Sequence, residues 1–217
     1  MLNSILVILC LIAVSAFFSI SEISLAASRK IKLKLLADEG NINASRILKM
    51  QENPGMFFTV VQIGLNAVAI LGGIVGGILV YVLFKDQFDA TEDPGTKLGV
   101  FSTGPSVPNT GRNILQEAIA TFVLVFAICG MNQVPGLDAG MGKLLVFGII
   151  VSIGMSLGGL TGYALNPARD LGPRIAHAIL PISGKGDSNF KYGLVVPIAG
   201  PILGGIVAVL LYNAIPW

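Results

Sequence analysis

The chain has 217 residues, 53% of them hydrophobic and 12% charged, with a mean hydropathy of +0.80. So little charge among so many apolar residues excludes a soluble globular protein and points to repeated passage through a bilayer. The net charge of +2 is too small to recruit nucleic acid, and the two cysteines, Cys10 and Cys129, set neither a metal spacing nor a disulfide framework.

Residues 2–21 are apolar and long enough to span. Ala13-Val-Ser-Ala16 resembles a cleavage site, but no Lys or Arg precedes the stretch and six follow between Arg29 and Lys49. A cleavable signal has the opposite charge order, so an uncleaved span with its N-terminus outside is predicted. Residues 28–53 are basic and helical in pattern, with Ile31, Leu33, Leu35, Leu36, Ile47 and Leu48 on an apolar side. They are expected along the cytoplasmic membrane surface, the alternative being a solvated loop helix. Pro54-Gly55 ends that segment.

Residues 56–84 read as a second span, unbroken despite Gly72, Gly73, Gly76 and Gly77, because an open backbone in lipid is costly. Those glycines allow close helix approach. Gln62 and Asn66 lie one turn apart on one face. Residues 85–112, with Asp86, Asp89, Glu92 and Asp93, read as an outer polar loop. A third span over 113–129 carries Glu117 and Thr121 at i and i+4. A short inner loop (130–142) and a fourth span (143–158) follow. An outer loop (181–192) leads to a last span (193–212), with Gly200 and Gly204 four apart and the C-terminus inside. Tyr212 and Trp217 suit an interfacial anchor.

Between the last two spans lies Gly158-Gly-Leu-Thr-Gly-Tyr-Ala-Leu-Asn-Pro-Ala-Arg-Asp-Leu-Gly-Pro-Arg174. It is too polar and too rich in glycine to cross as an ordinary helix. Irregular backbone at membrane depth is tolerated only where protein buries it or where it lines a watery cavity. Asn166 is a good N-cap, and Pro167 suits the first helical position. The stretch predicts a loop running inward over 159–165 and a half-helix from Pro167, its positive end at the loop tip. Arg169 falls in the first turn. His177, the one histidine, is read as structural. The fold expected is an all-α membrane protein with about five transmembrane helices and one re-entrant half-helix.

In this setting Asn166-Pro167-Ala168-Arg169 resembles the second Asn-Pro-Ala signature of the major intrinsic proteins, the aquaporin family. Asp170, directly after Arg169, resembles its glycerol-conducting branch. The resemblance covers residues 77–217 and implies half of an inverted repeat. Glu117-Ala-Ile-Ala-Thr121 is similar to the Glu-x-x-x-Thr of the family's fourth span, which implies that Glu117 and Thr121 support the pore loop. Gly154 falls where water-selective members carry a bulky histidine, and so implies a pore wide enough for a polyol. Tyr163 falls at an aromatic filter position. The carbonyls of Gly162, Tyr163, Ala164 and Leu165 would line the pore. As in aquaporin-type pores, a fixed cation and a helix N-terminus at one constriction would repel protons and cations. Arg169 is expected to be held by loop carbonyls rather than by a carboxylate.

Residues 1–76 depart from that family, with no second Asn-Pro-Ala and no first aromatic filter loop. Phe17-Phe-Ser-Ile-Ser-Glu-Ile-Ser-Leu-Ala-Ala-Ser-Arg29 and Gln62-Ile-Gly-Leu-Asn-Ala-Val-Ala-Ile-Leu-Gly-Gly73 instead resemble the transmembrane region of the CorC/cyclin-M magnesium transporters. That likeness implies Ser21 and Asn66 as oxygen ligands for a hard cation. Two domains are therefore expected in a chimera-like chain. Residues 1–76 are a cyclin-M-like transmembrane segment with a juxtamembrane helix, and 77–217 an aquaglyceroporin-like second half. The resemblance implies passive passage of glycerol, small polyols and water, impaired by the missing first half-repeat. It implies no cofactor and no enzymatic step. The expected surroundings are the lipid bilayer of a bacterial inner membrane and a fourfold homo-oligomer. The alternatives are a magnesium transporter fragment and a fusion product that transports nothing.

Overall fold

The computed structural model describes residues 2–52, 54–137 and 141–216. Among the described residues there are eleven helices and no strand. Five are long and apolar enough to cross a membrane: Leu6–Leu25, Pro54–Leu83, Thr110–Met131, Met141–Thr161 and Phe190–Ala214, the last including the short turn before it. The chain divides into two compact units, Met1–Val75 and Gly76–Trp217.

The first unit holds α1 (Leu2–Ala27), α2 (Lys30–Asp38), α3 (Ile42–Glu52) and the greater part of α4 (Pro54–Leu83). The basic stretch expected as one helix is two. Gly40 breaks it at φ +89°, a left-handed conformation that costs glycine little. Asn41 then caps α3, its side-chain oxygen accepting from the N–H groups of Asn43 (3.0 Å) and Ala44 (3.1 Å). The hairpin is tied back to α1 by Gln51, whose amide donates to the carbonyls of Leu25 (3.1 Å) and Ser28 (2.8 Å). At Gly64 a side chain would collide with the ring of Phe18, so α4 packs directly on α1 there. α4 is a single helix with no break at Gly72, Gly73, Gly76 or Gly77. Among the described residues nothing lies within 4 Å of a Cβ placed at Gly72 or Gly76, so no close helix approach is made at these two.

In the second unit, the polar segment expected as loop contains α5 (Lys85–Ala90) and α6 (Pro94–Phe101). Asp93 caps α6 by accepting from the Thr96 N–H at 2.6 Å, with Pro94 at the first helical position. Gly77 is a second close-approach point on α4, since a Cβ there would lie 2.6 Å from Ala176 and 3.3 Å from Phe101. α7 (Thr110–Met131) and α8 (Met141–Thr161) form an antiparallel pair, and α11 (Val196–Ala214) lies along α7. Gly200 and Gly204 make that approach possible. A Cβ at Gly200 would lie 2.5 Å from that of Glu117, and one at Gly204 would strike the Ala118 carbonyl. Without a hydrophobic drive between helices in lipid, such backbone-to-backbone packing is what holds spans together. The Gln133 amide donates to the Tyr212 hydroxyl, while Trp217 lies outside the described residues. Cys10 and Cys129 are both free thiols.

α9 (Pro167–Ile179) is the re-entrant half-helix, followed by the single-turn α10 (Phe190–Gly193). Its 13 residues rise about 20 Å, well short of a hydrocarbon core of about 30 Å. α8 continues to Thr161, so residues 159–161 are helical and the loop before α9 is only 162–166.

Candidate filter loop

The loop is short because its backbone turns sharply. Gly162, Tyr163 and Leu165 all have positive φ, at +83°, +42° and +56°. For Tyr and Leu such values cost of order 1–3 kcal/mol each and persist only where surroundings impose them. Glu117 is what imposes them. Its carboxylate is fully buried, and its two oxygens accept from the N–H groups of Ala164 (2.9 Å) and Leu165 (3.0 Å). Hydrogen bonds to a buried charge are the strong ones. Thr121 lies one turn further on, and among the described residues its buried hydroxyl makes no hydrogen bond to this clamp.

Asn166 caps α9, its side-chain oxygen accepting from the Ala168 N–H at 2.9 Å, and Pro167 follows as the first helical residue. Ala164 and Ala168 are buried. Asn166 and Arg169 are exposed. The Arg169 guanidinium lies 5.4 Å from the centroid of the Tyr163 ring. The ring rests on α8, where a Cβ at Gly154 would lie 3.1 Å from it and one at Gly158 2.8 Å. The room left by glycine at 154 is thus bordered by Tyr163 itself, and a larger residue there would push the ring. Within the loop, Ala164 accepts from the Asn166 N–H at 2.6 Å. The carbonyls of Gly162, Tyr163 and Leu165 accept no hydrogen bond from the described residues. A row of free acceptors therefore stands beside a cation, an aromatic face and the positive end of a helix.

Arg169 is not held by loop carbonyls, contrary to expectation. Among the described residues its side chain makes only the contact with Tyr163. Arg174 is the guanidinium held in that way. It is fully buried and donates to the carbonyls of Ser188 (2.7 Å), Asn189 (3.1 Å) and Thr103 (2.7 Å) and to Asp170 (2.7 Å). Asp170 faces this cluster and not the loop. It is also fully buried and accepts from both the N–H (2.8 Å) and the hydroxyl (2.5 Å) of Thr103. Its place one residue after Arg169 makes it an anchor for the first turn of α9. The Asp170–Arg174 spacing of four was visible in the sequence. Thr103 was not, since it lies 67 residues from Asp170.

Comparison with known proteins joins two sources. The cyclin M transmembrane N-terminal domain matches residues 5–131. A polyamine export protein of Escherichia coli K12 is 95% identical over 76 residues, 35% of this chain and 17% of that protein. A glycerol uptake facilitator protein of Bacillus subtilis is 55% identical over 150 residues, 68% of this chain and 53% of that protein. A probable glycerol uptake facilitator of Thermotoga maritima is 54% identical over 144 residues, 66% of this chain and 61% of that protein. The chain belongs to the cyclin M transmembrane family, and over about two thirds of its length it is similar to glycerol uptake facilitators.

An X-ray structure of the aquaglyceroporin from Plasmodium falciparum superposes with a TM-score of 0.57 at 26% identity, covering 71% of this chain and 64% of that one. The chain spans little more than half the length of the facilitators it matches. The stretches shared with the export protein and with the Bacillus facilitator together exceed the chain, so the two likenesses overlap.

Beyond the loop, the far end of α9 is capped by Lys185, whose ammonium donates to the carbonyls of His177 (2.8 Å), Ala178 (2.7 Å) and Leu180 (2.6 Å). A cation there complements the helix dipole. His177 is buried, with Nδ1 2.8 Å from the Ser188 hydroxyl and its ring edge-on to Phe101. In the cyclin-M-like part, the Ser21 hydroxyl donates to the carbonyl of Phe17 in its own helix at 2.7 Å, and Asn66 is exposed on α4. Among the described residues no group of three or more His, Cys, Asp or Glu could hold a metal ion.

Proposed function

We propose that residues 77–217 form the second half of a glycerol channel and that residues 1–76 are a cyclin-M-type membrane segment joined to it. The observation that carries this reading is Arg169 over Tyr163 beside the unpaired carbonyls of Gly162, Tyr163 and Leu165. A polyol entering a narrow pore sheds water from its hydroxyls, which costs roughly 2–7 kcal/mol per group if nothing replaces it. The loop carbonyls accept from those hydroxyls, Arg169 donates to them, and the Tyr163 ring lies against the carbon chain. Arg169 and the α9 N-terminus repel cations at the same point. Passage is passive, with no cofactor and no bond made or broken. Gly154, Asn166, Pro167 and Ala168 shape the constriction, Glu117 holds it, and Asp170 anchors it from behind.

The chain supplies one such half. The opposing half-helix, its carbonyls and the second filter aromatic have no counterpart in residues 1–76, so glycerol flux through the chain by itself is weak. It is multi-pass. We place the N-terminus outside, the α2–α3 hairpin in the cytoplasm of a bacterial inner membrane, and a fourfold assembly as in the resembled family. Stopped-flow glycerol uptake by proteoliposomes tests this. Uptake near that of protein-free vesicles is expected, and a large flux abolished by Arg169→Ala would contradict the half-channel reading.

The 95% identity to a polyamine export protein over 76 residues favours a second reading, cation export through the first unit. Polyamine or Mg²⁺ flux in the same vesicles, lost on Asn66→Ala, would support it over the first.

A further inference from the structure

α2 carries Ile31 and Leu35 one turn apart, 81% and 61% exposed. At 100° per residue they form one stripe, with Lys32 along one side and Lys30 and Lys34 along the other. Arg29 stands at the helix start, and Arg29, Lys30, Ile31, Lys32 and Leu35 border a shallow cleft. Among the described residues none of these four cations is ion-paired, and the carboxylates of Asp38 and Glu39 lie at the opposite end of the helix. The position of this face is fixed. α2 begins three residues after α1 ends, and Gln51 of α3 binds the carbonyls of Leu25 in α1 and of Ser28 just past its end. Since α1 is a span, the hairpin sits where the bilayer stops.

We infer that this face of α2 is seated on a surface of anionic phospholipid. Ile31 and Leu35 enter the acyl boundary. Arg29, Lys30, Lys32 and Lys34 reach phosphate headgroups, their methylene stems lying along the apolar stripe. Charge complementarity decides the occupant. A second copy would set like charge against like, and an acidic soluble partner would leave exposed Ile31 and Leu35 unused. Each lysine at an anionic surface is worth about five-fold, close to 1 kcal/mol. The inference does not rest on the filter.

The test uses the full chain with its single tryptophan removed (Trp217→Phe) and a reporter placed on the face (Ile31→Trp). It is reconstituted in nanodiscs of phosphatidylcholine alone and of phosphatidylcholine mixed with phosphatidylglycerol. In the mixture the reporter should emit further to the blue, and brominated lipid should quench it more than aqueous iodide does. Replacing Lys30, Lys32 and Lys34 together by Gln should cut the lipid quenching by about two-fold or more. Leu35→Trp should report the same if Ile31→Trp does not fold. Equal emission in both compositions, with iodide the stronger quencher, would show a solvated face and overturn the inference.

Discussion

Glu117 uses both carboxylate oxygens on backbone N–H groups 47 and 48 residues away. Glu117→Ala leaves the buried Ala164 amide and the part-buried Leu165 amide without acceptors, and a buried group so stranded costs about 1–3 kcal/mol. The expected result is a clear fall in thermal stability in detergent, with faster amide exchange at Ala164 and Leu165. Unchanged exchange there would remove Glu117 from the clamp. Arg174→Ala strands the fully buried Asp170 carboxylate. Breaking a buried pair by removing one partner costs about 3–5 kcal/mol, so this variant should be less stable than Arg174→Ala/Asp170→Asn. A double variant no better than the single would contradict the pairing. In the sequence, Asn166-Pro167 announced the cap and the half-helix without help. Glu117 stood out as a carboxylate within a span, but its partners could not be read from spacing and its role entered only through a family likeness. Arg169 was expected among carbonyls, but it is Arg174, four residues after Asp170, that the fold buries there.

Helices long and apolar enough to span are set by composition, and all five were legible. The short ones were not. α5 and α6 lie in a stretch whose acidity and Pro-Gly content outweighed the Asp93-Pro94 start signal that marks α6. The α2–α3 turn was missed because one basic amphipathic pattern runs across Gly40. Thr96 donates through both its hydroxyl and its N–H to Asp93 and holds that carboxyl below its ordinary range. A depressed carboxyl contributes above its unfolded value and loses that contribution as pH falls through the folded one. The start of α6 should therefore loosen on acidification below about pH 4. Asp93→Asn, which caps without titrating, should remove that dependence in amide exchange of residues 95–97. On α11, Gly204→Val must push the helix off the Ala118 carbonyl. Overpacking typically costs about 1–3 kcal/mol, and here the obstacle is backbone. Thermal unfolding in detergent should show a larger loss than Gly205→Val, since Gly205 has open space around it.

At the scale of the whole chain, the loop at 162–166 with its Glu117 clamp and Asn166 cap lies in the second compact unit, and we propose that it is one half of a channel filter whose other half residues 1–76 do not supply. The filter is therefore expected to be competent but unpaired. The direct test replaces residues 1–76 by the first half of the Bacillus subtilis facilitator that this chain matches at 55% identity. Glycerol uptake into proteoliposomes is then measured beside the unaltered chain. The unaltered chain should stay near protein-free vesicles. The completed one should conduct, and Glu117→Ala should abolish that flux. A completed chain that folds yet conducts no better than the original would contradict the account.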